Sequence, residues 1–284
     1  MLPTITTTID ETRAIIAAAR TAGRRIGFVP TMGALHAGHA SLMQAAHAEN
    51  DFVVVSIFVN PTQFGPKEDL ARYPRPFAQD VQTCTNEGVD LLFHPSPAEI
   101  YPASFHTFVE VQDLQDVLCG ASRPGHFRGV ATVVLKLFNI VQPHRAYFGQ
   151  KDAQQARILL QMVRDLNVPV EMKICPILRE PDGLALSSRN VYLDADQRRH
   201  ATILLRTLAA LQQRIDAGER QSEPLLTLAK SLIEATPGAR LDYVAVVDAE
   251  TLQPLVKLQG NVLTAVAVYF GTTRLIDNLL LRIS

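Results

Sequence analysis

Short apolar runs alternate with longer segments of helical periodicity along most of this chain, and that alternation limits its possible folds more than any other feature. The runs place valine, isoleucine and other apolar residues at neighbouring positions, at residues 26–31, 52–59, 89–94, 145–148 and 170–178. Consecutive apolar positions are typical of strands buried on both faces of a parallel sheet. Helical patterns occupy residues 10–22, 39–48, 69–86, 130–141 and 152–166. The order predicts an α/β fold with a Rossmann-like, doubly wound parallel sheet.

The pattern changes after the Glu-Pro-Asp-Gly turn at residues 180–183. Helical patterns at 195–217 and 222–235 precede alternating strands at 241–248 and 262–270, and no second βα series follows. We therefore expect a first domain at residues 1–183 and a smaller α+β domain at 184–284 that closes over a cleft between them. A further strand-like segment, 106–111, is interpreted as an edge or antiparallel insertion.

Composition favours small-molecule partners. The chain has 284 residues, 47% hydrophobic and 19% charged, with a net charge of -1, so it has no global attraction to nucleic acid or to an anionic membrane. No apolar stretch reaches the ~18 residues of a membrane helix. The three cysteines are far apart and lack CxxC spacing, which argues against a disulfide framework or a thiolate zinc site. Together with the absence of a secretion signal, this predicts a cytoplasmic protein.

Residues 30–39, PTMGALHAGH, follow the first apolar run and hold two histidines. On a first helical turn His36 and His39 would project from nearly the same side. Gly33 suits a tight turn, and Gly38 leaves the helix start open to a nucleotide. A helix N-terminus offers backbone N–H groups and a positive dipole end to phosphate. Taken alone, the pattern is equally compatible with two histidines that only cap the helix or bind a metal.

Two later segments carry polar groups where ligands bind in open α/β sheets. The second run continues into FVNPTQF, which places Asn60 and Gln63 at a strand end, although Asn-Pro also forms plain turns. The glycine-punctuated segment 120–129 holds Arg123, His126 and Arg128 and is interpreted as a mobile anion clamp. The alternative for that segment is a solvated surface loop.

Two further segments add a cation and hydroxyl groups. In FGQKDAQQ, Lys151 at a strand end presents a cation to phosphates, and Gln155 lies one helical turn later. Taken alone, Lys151 and Asp152 are more often a surface pair at a helix start than a binding site. In DGLALSSRN, two serines and Arg189 are placed to close over a triphosphate, with an ordinary turn as the alternative.

Six ordered motifs resemble the pantoate:β-alanine ligase family of the HxGH nucleotidylyl-transferase superfamily: PTMGALHAGH, FVNPTQF, EDLARYPR, GASRPGHFRGV, FGQKDAQQ and DGLALSSRN. The resemblance spans nearly the whole chain. It implies a homodimeric, ATP-dependent ligase that condenses (R)-pantoate with β-alanine through an enzyme-bound pantoyl adenylate. The products would be pantothenate, AMP and pyrophosphate. Mg²⁺ would enter with ATP, held mostly by phosphates and water.

The resemblance also implies residue roles. His36 and His39 would contact the ATP phosphates, with His39 as proton donor to the transition state, and Lys151 would hold phosphate charge as pyrophosphate leaves. The rest of the ATP site would be Met32, Gly33, Ala34, Leu35, Ala37, Gly38, Gly149, Gln150, Asp152, Leu178 beside adenine, Leu186, Ser187, Ser188 and Arg189. Pantoate and β-alanine would meet Gln63, Gln155, Asn60, Met32, Arg123 and His126. Asp80 would support Mg²⁺.

The chain departs from the family pattern in two places. Gln150 stands where many relatives have glutamate, and Arg-Pro-Phe at 75–77 replaces a more usual Arg-Thr.

Two other functions are considered. Another HxGH adenylyl or cytidylyl transferase would not need FVNPTQF and RPGHFRGV together. A non-catalytic nucleotide-binding module predicts the loss of a phosphate-contacting residue, yet all of them are present.

Overall fold

The computed structural model describes residues 2–66 and 68–284, and within them the chain forms nine strands and ten α-helices. The strands are β1 Thr4–Thr6, β2 Ile26–Thr31, β3 Phe52–Ile57, β4 Leu91–Phe93, β5 Arg145–Gly149, β6 Glu171–Cys175, β7 Ala239–Asp248, β8 Gly260–Phe270 and β9 Thr273–Ile283. The helices are α1 Ile9–Thr21, α2 Ala37–Glu49, α3 Phe77–Asn86, α4 Pro97–Ile100, α5 Cys119–Ser122, α6 His126–Val141, α7 Ala153–Asp165, α8 Ala195–His200, α9 Ile203–Asp216 and α10 Ser222–Glu234. Short 3₁₀ turns lie at Pro61–Gln63, Gln150–Asp152 and Ser188–Tyr192.

Six strands form a parallel sheet in the order β1-β4-β3-β2-β5-β6. Its centre is buried on both faces, since every residue of β3 is buried, which explains the consecutive apolar positions. The chain winds outward from β2 through β3 to β4 and then continues on the other side of β2 with β5 and β6. The predicted doubly wound fold is confirmed. Its topological switch point lies between β2 and β5, where such sheets bind ligands.

The C-terminal part is an antiparallel sheet of β7, β8 and β9 with α9 and α10 against it. Leu208, Ile233 and Val266 belong to the core between these layers, so the predicted α+β class is confirmed. Leu263 and Ala265 of β8 instead belong to the large core of the parallel-sheet part. The two parts therefore share a packed interface. The division between residues 183 and 184 stays a prediction.

Several predicted elements differ from the structure. Residues 69–86 are helical only from Phe77, because Pro74 and Pro76 lack N–H groups and push the preceding residues out of the helical region. The pattern at 195–217 forms two helices, α8 and α9. Residues 106–111 form no strand. The edge strand β1 and the long strand β9 were not predicted.

The ends of several strands and helices also differ from their predicted positions. Three predicted strands, 52–59, 89–94 and 170–178, are shorter than their apolar runs, and the last stops before Pro176. Helix α6 begins at His126, so the segment 120–129 is largely helical. None of the helices in the described part of the chain is long and apolar enough to cross a bilayer.

Candidate functional site

The carboxyl ends of β2 and β5 bring the two most distinctive motifs together. The HAGH segment follows β2, and the 3₁₀ turn that carries Lys151 follows β5. A cavity of about 230 Å³ opens at this point. The predicted residues that line it are Met32, His36, Gly38, His39, Asn60, Gln63, Gly149, Lys151, Asp152, Gln155, Leu178, Leu186, Ser187, Ser188 and Arg189. Leu178, an apolar side chain that is 41% exposed, offers a surface suited to a flat ring.

A larger cavity, about 1110 Å³, shares Gln63, Lys151 and Gln155 with the first and extends between the two sheets. Arg123 and His126 line this larger space. The cleft predicted between the two parts of the chain is therefore present. Six of the predicted residues, Gly33, Ala34, Leu35, Ala37, Gln150 and Asp80, line neither space. The first four form the turn and the helix start behind the histidines.

The histidine pair both caps α2 and keeps two donors available. His36 is the N-cap, and its Nδ1 accepts from the Gly38 N–H at 3.1 Å. His39 Nδ1 accepts from the His36 N–H at 3.3 Å, and the ring centroids lie 4.1 Å apart. Because Nδ1 of each ring is an acceptor, a neutral imidazole carries its proton on Nε2. Capping and ligand binding are compatible here, since they use opposite ring nitrogens.

Burial keeps both imidazoles neutral. Desolvation, followed by the positive charge of Lys151, lowers the pKa of His36 to about 4. Desolvation, then His36 and Lys151, lowers the pKa of His39 to about 3. At neutral pH the pair therefore supplies N–H donors, and Lys151 supplies the positive charge.

The structure gives a second reason for glycine at position 38, beyond keeping the helix start open to a nucleotide. A Cβ at this position would lie 2.8 Å from Cε1 of the His36 ring. The glycine therefore allows the N-cap ring to fold over the first turn of α2. Gly33 behaves as predicted, with a φ of +81° in the turn before the helix.

Asp80 fixes that turn from behind. Its carboxylate accepts from the Ala34 N–H at 3.0 Å and the Leu35 N–H at 2.7 Å, and the residue is 1% exposed. Burial raises the pKa of Asp80, while the two backbone donors oppose that shift. This geometry gives Asp80 a structural role, and its support of Mg²⁺ stays a prediction. Among the described residues, no three His, Cys, Asp or Glu side chains gather as a metal site.

Asn60 acts on its neighbour Gln63. Its Nδ2 donates to Gln63 Oε1 at 3.0 Å and to the Gly129 carbonyl at 3.1 Å, and its Oδ1 accepts from the Tyr101 hydroxyl at 2.9 Å. Gln63 Nε2 lies 3.1 Å from Met32 Sδ. Asn60 is 1% exposed, and its contacts give it the role of orienting the Gln63 side chain. Direct contact between Asn60 and the substrate stays a prediction.

Arg123 and His126 are already paired. Arg123 forms a fork with Glu68, at 2.7 Å from Nε to Oε1 and 2.6 Å from Nη2 to Oε2. His126 Nδ1 donates to the Gln63 carbonyl at 2.8 Å, and its Nε2 lies 3.1 Å from Arg123 Nη1. Burial, then Arg123, lowers the pKa of His126 to about 4. The segment interpreted as a mobile clamp is thus a hydrogen-bonded wall. Arg128 instead lies over the Phe108 ring.

The Ser187–Arg189 segment meets residues 69–73 across the cleft. Arg189 contacts Asp69 through two bonds of 3.2 and 3.3 Å, and the Tyr73 and Ser188 hydroxyls lie 3.4 Å apart. Sequence reasoning missed Glu68, Asp69 and Tyr73 as site residues. They belong to the motif EDLARYPR, but 69–73 was assigned to a helix.

Two residues of β9 also reach the site and were missed, because β9 itself was not predicted. Asn278 exchanges hydrogen bonds with the turn at Gln150 and Lys151. Asp277, 2% exposed, accepts two bonds from Arg179, which follows Leu178. The neutral Gln150 amide thus binds the C-terminal sheet and lies outside both cavities.

Comparisons with known proteins agree with this geometry. The family model of pantoate-beta-alanine ligase matches residues 4–280. A pantothenate synthetase of Moorella thermoacetica is 57% identical over 277 residues, 98% of each chain. One of Roseiflexus castenholzii is 55% identical over 275 residues, 97% of this chain and 98% of that protein.

Solved structures are similar over the same length. The crystal structure of pantothenate synthetase from Thermus thermophilus has a TM-score of 0.92 and 48% identity, and covers 97% of this chain and 98% of that one. Pantoate-beta-alanine ligase from Francisella tularensis, complexed with beta-gamma ATP and beta-alanine, has a TM-score of 0.80 and 38% identity, covering 98% and 97%. More than half of the residues of this chain are identical to those of the Moorella and Roseiflexus proteins, and its fold matches that of the solved structures over nearly its whole length. The chain therefore belongs to the pantoate-beta-alanine ligase family.

Proposed function

We propose that this chain is an ATP-dependent ligase that joins (R)-pantoate to β-alanine, forming pantothenate, AMP and pyrophosphate through an enzyme-bound pantoyl adenylate. Family membership supports the reaction. The observation that carries it is the meeting of His36, His39 and Lys151 around one cavity at the β2–β5 switch point. Two neutral N–H donors, one cation and a helix N-terminus there suit a triphosphate.

In the first step a pantoate carboxylate oxygen attacks the α-phosphorus of ATP. A bond forms between that oxygen and phosphorus, and the bond from the α-phosphorus to the bridging oxygen breaks, so pyrophosphate leaves with the electron pair. Nε2–H of His36 and His39 and the ammonium of Lys151 stabilise the charge that develops on the phosphate oxygens. The attacking group belongs to the substrate, so the protein contributes positioning and a fixed charge field, with no covalent nucleophile.

In the second step the β-alanine amine attacks the acyl carbon of the adenylate. The carbon–nitrogen bond forms and the bond from the acyl carbon to the oxygen that bridges it to phosphorus breaks, so AMP leaves with that oxygen and the electron pair, and the amine loses a proton. Gln63 and Gln155 face the shared part of the two cavities and offer amide donors and acceptors to pantoate. Arg123 and His126 form the wall of the larger cavity from which β-alanine would approach.

Mg²⁺ is proposed to enter as the ATP complex. Its hard, oxygen-seeking coordination is supplied well by phosphate oxygens and water. Both Asp80 oxygens already accept backbone hydrogen bonds, so we assign no step to a metal held by that side chain.

We further propose a homodimer in the cytoplasm. The dimer rests on the resemblance, and the location also on the three cysteines, all in the described part of the chain and none in a disulfide. Sedimentation velocity across a tenfold concentration range tests the dimer. A single species near the 31.2 kDa mass of one chain would contradict it.

The deciding experiment measures AMP and pyrophosphate release from ATP, Mg²⁺ and pantoate, with and without β-alanine. Continuous AMP release that requires all components supports the ligase. One burst of pyrophosphate that β-alanine cannot extend indicates a transferase that stops at the nucleotidyl product. No release, with ATP still bound, indicates a binding module.

The roles of the histidines are tested with His39→Ala. Removal of one fixed donor should slow pyrophosphate release about 100- to 1000-fold without unfolding the protein. His47→Ala, an exposed position on the same helix, is the matched control and should keep the original rate. Near-normal release in His39→Ala would overturn the assignment.

A further inference from the structure

A single amide of the C-terminal sheet holds the turn that carries Lys151. Asn278 Nδ2 donates to the Gln150 carbonyl at 3.0 Å and to the Lys151 carbonyl at 2.9 Å. Asn278 Oδ1 accepts from Gln150 Nε2 at 3.0 Å. Three bonds thus join one side chain to two consecutive residues of the turn. Asn278 is 4% exposed, so water does not readily replace them.

Asp277, the residue before Asn278 on β9, holds a second segment that lines the smaller cavity. Asp277 binds Arg179 through bonds of 2.6 and 3.0 Å, and Arg179 also donates to the Gly183 carbonyl at 3.1 Å. The segment so fixed runs from Leu178 to Leu186, whose backbones are joined at 3.0 Å. Adjacent residues of β9 therefore hold two of the loops that line the smaller cavity.

The position of Asn278 in its sheet is itself rigid. Asn278 pairs with Ala265 of β8, and its backbone N–H donates to Asp277 Oδ1 at 2.8 Å. Lys151, by contrast, has a long side chain on a short 3₁₀ turn, and its only ion pair among the described residues is a 3.8 Å contact with Asp152. The point and direction at which the Lys151 side chain leaves the backbone are set by that turn, whose Gln150 and Lys151 carbonyls are held by Asn278.

We propose that Asn278 is a positioning residue for Lys151, through which the C-terminal sheet sets the place of the catalytic cation for the adenylation step. The inference rests on the proposed role of Lys151. Loss of the amide frees two carbonyls and allows the turn to shift. A displacement of about 1 Å at a charge-stabilising group lowers a rate by up to about 100-fold.

The test is a double-mutant cycle on the full-length protein. Pyrophosphate release in a single turnover is measured at saturating ATP and pantoate for Asn278→Ala, Lys151→Ala and the double variant, with thermal unfolding midpoints for each. Arg157→Ala is the matched control, because Arg157 also crosses between the two parts, through an exposed bond to the Glu250 carbonyl, but lines neither cavity. Asn278→Asp keeps the size of the side chain and the bond from Gln150 but not the two donations, so it serves if Asn278→Ala does not fold.

We expect Asn278→Ala to slow release about 10- to 100-fold, Arg157→Ala to keep the original rate, and the double variant to match Lys151→Ala. Asn278→Asp should also be slow, and its effect should vanish in the Lys151→Ala background. A purely structural role predicts multiplied effects in the double variant, and that result overturns the inference, as does a normal rate in Asn278→Ala. A normal rate in Lys151→Ala instead overturns the proposed role of Lys151 and the inference with it.

Discussion

Each imidazole of the HAGH segment uses one ring nitrogen in the start of α2 and keeps the other for the phosphate contact that we propose. Nδ1 is used at the start of α2, and Nε2 is left as a donor toward the cavity. Because burial and Lys151 hold the pKa values of both rings low, the rings donate without adding positive charge. A phosphate near two neutral donors and one lysine gains direction from the histidines and charge from the lysine.

The pKa values predict the pH response of three histidines. His36, His39 and His126, with pKa values of about 4, 3 and 4, should remain neutral at pH 5 in the free enzyme. Below about pH 6.5 the unfolded chain, whose histidines have pKa values near 6.5, binds more protons than the folded chain. The free energy of unfolding should therefore fall as pH drops from about 6.5 toward 4. Titration of the ring Cε1–H signals by NMR, assigned with single His→Gln variants, checks this, and a midpoint near 6.5 for any of the three contradicts it.

Gln63 is predicted to act on pantoate. Gln63→Ala removes an amide that faces both cavities and also leaves the Asn60 Nδ2 donor with one partner fewer. Loss of a hydrogen bond to a buried polar substrate costs about 1.4 kcal/mol, which corresponds to a roughly tenfold rise in the KM for pantoate. Steady-state kinetics at saturating ATP and β-alanine measure it, with Gln82→Ala on the exposed face of α3 as control. An unchanged pantoate KM would remove Gln63 from the site.

Helix α6 and the 3₁₀ turn Pro61–Gln63 meet at a contact that only glycine permits. A Cβ on Gly129 would lie 2.5 Å from the Thr62 carbonyl oxygen, and the Gly129 carbonyl accepts from Asn60. The packing of one helix against one turn therefore sets where Gln63 stands. The position of Gln63 thus depends on α6, although Gly129 itself lines neither cavity.

Gly129→Ala should displace the turn. Forced close contact with backbone costs about 1–3 kcal/mol of stability, and the movement should raise the KM for pantoate more than that for ATP. Chemical denaturation and steady-state kinetics measure the two effects. Gly65→Ala is the matched control, since its added Cβ comes no closer than 3.7 Å to Glu68. Equal stability of the two alanine variants would show that α6 tolerates the added methyl group.

At the scale of the whole molecule, the two sheets are joined through buried polar contacts as well as the shared apolar core. The Asp277 side chain is 1% exposed and its partner Arg179 26% exposed, so the carboxylate depends on that guanidinium. The hairpin that carries Leu178 is thereby fixed to the C-terminal sheet. Separation of the two parts would expose this pair and open both cavities at once.

Arg179→Ala should destabilise the molecule by about 2 kcal/mol, because it leaves a buried carboxylate without its charged donors. Arg198→Ala is the control, because Arg198 of α8 also pairs with the hairpin of residues 178–186. Its partners Glu180 and Asp182 are 29% and 43% exposed, and such surface pairs contribute less than about 1 kcal/mol. Urea denaturation of both variants gives the comparison. Similar losses in the two would mean that Asp277 gains little from its burial beside Arg179.

The sequence by itself determined the alternation of strands and helices that builds the parallel sheet and the identity of most polar residues that line the smaller cavity. Consecutive apolar positions show burial on both faces, and His36, His39 and Lys151 follow strand ends, where parallel sheets bind ligands. Those signals are local, because a strand and the loop after it are adjacent in the chain. The helix predicted over 69–86 was wrong where two prolines override the apolar period.

Only the tertiary structure decided which polar groups are committed to partners. Arg123 meets Glu68, Arg189 meets Asp69, and Asp80 meets the backbone before α2 across long sequence separations. The position of Asn278 beneath Lys151, 127 residues away in sequence, likewise has no local signature. Hydrogen bonds and ion pairs of this kind depend on distances of a few ångströms between segments that the chain brings together only after both sheets have packed.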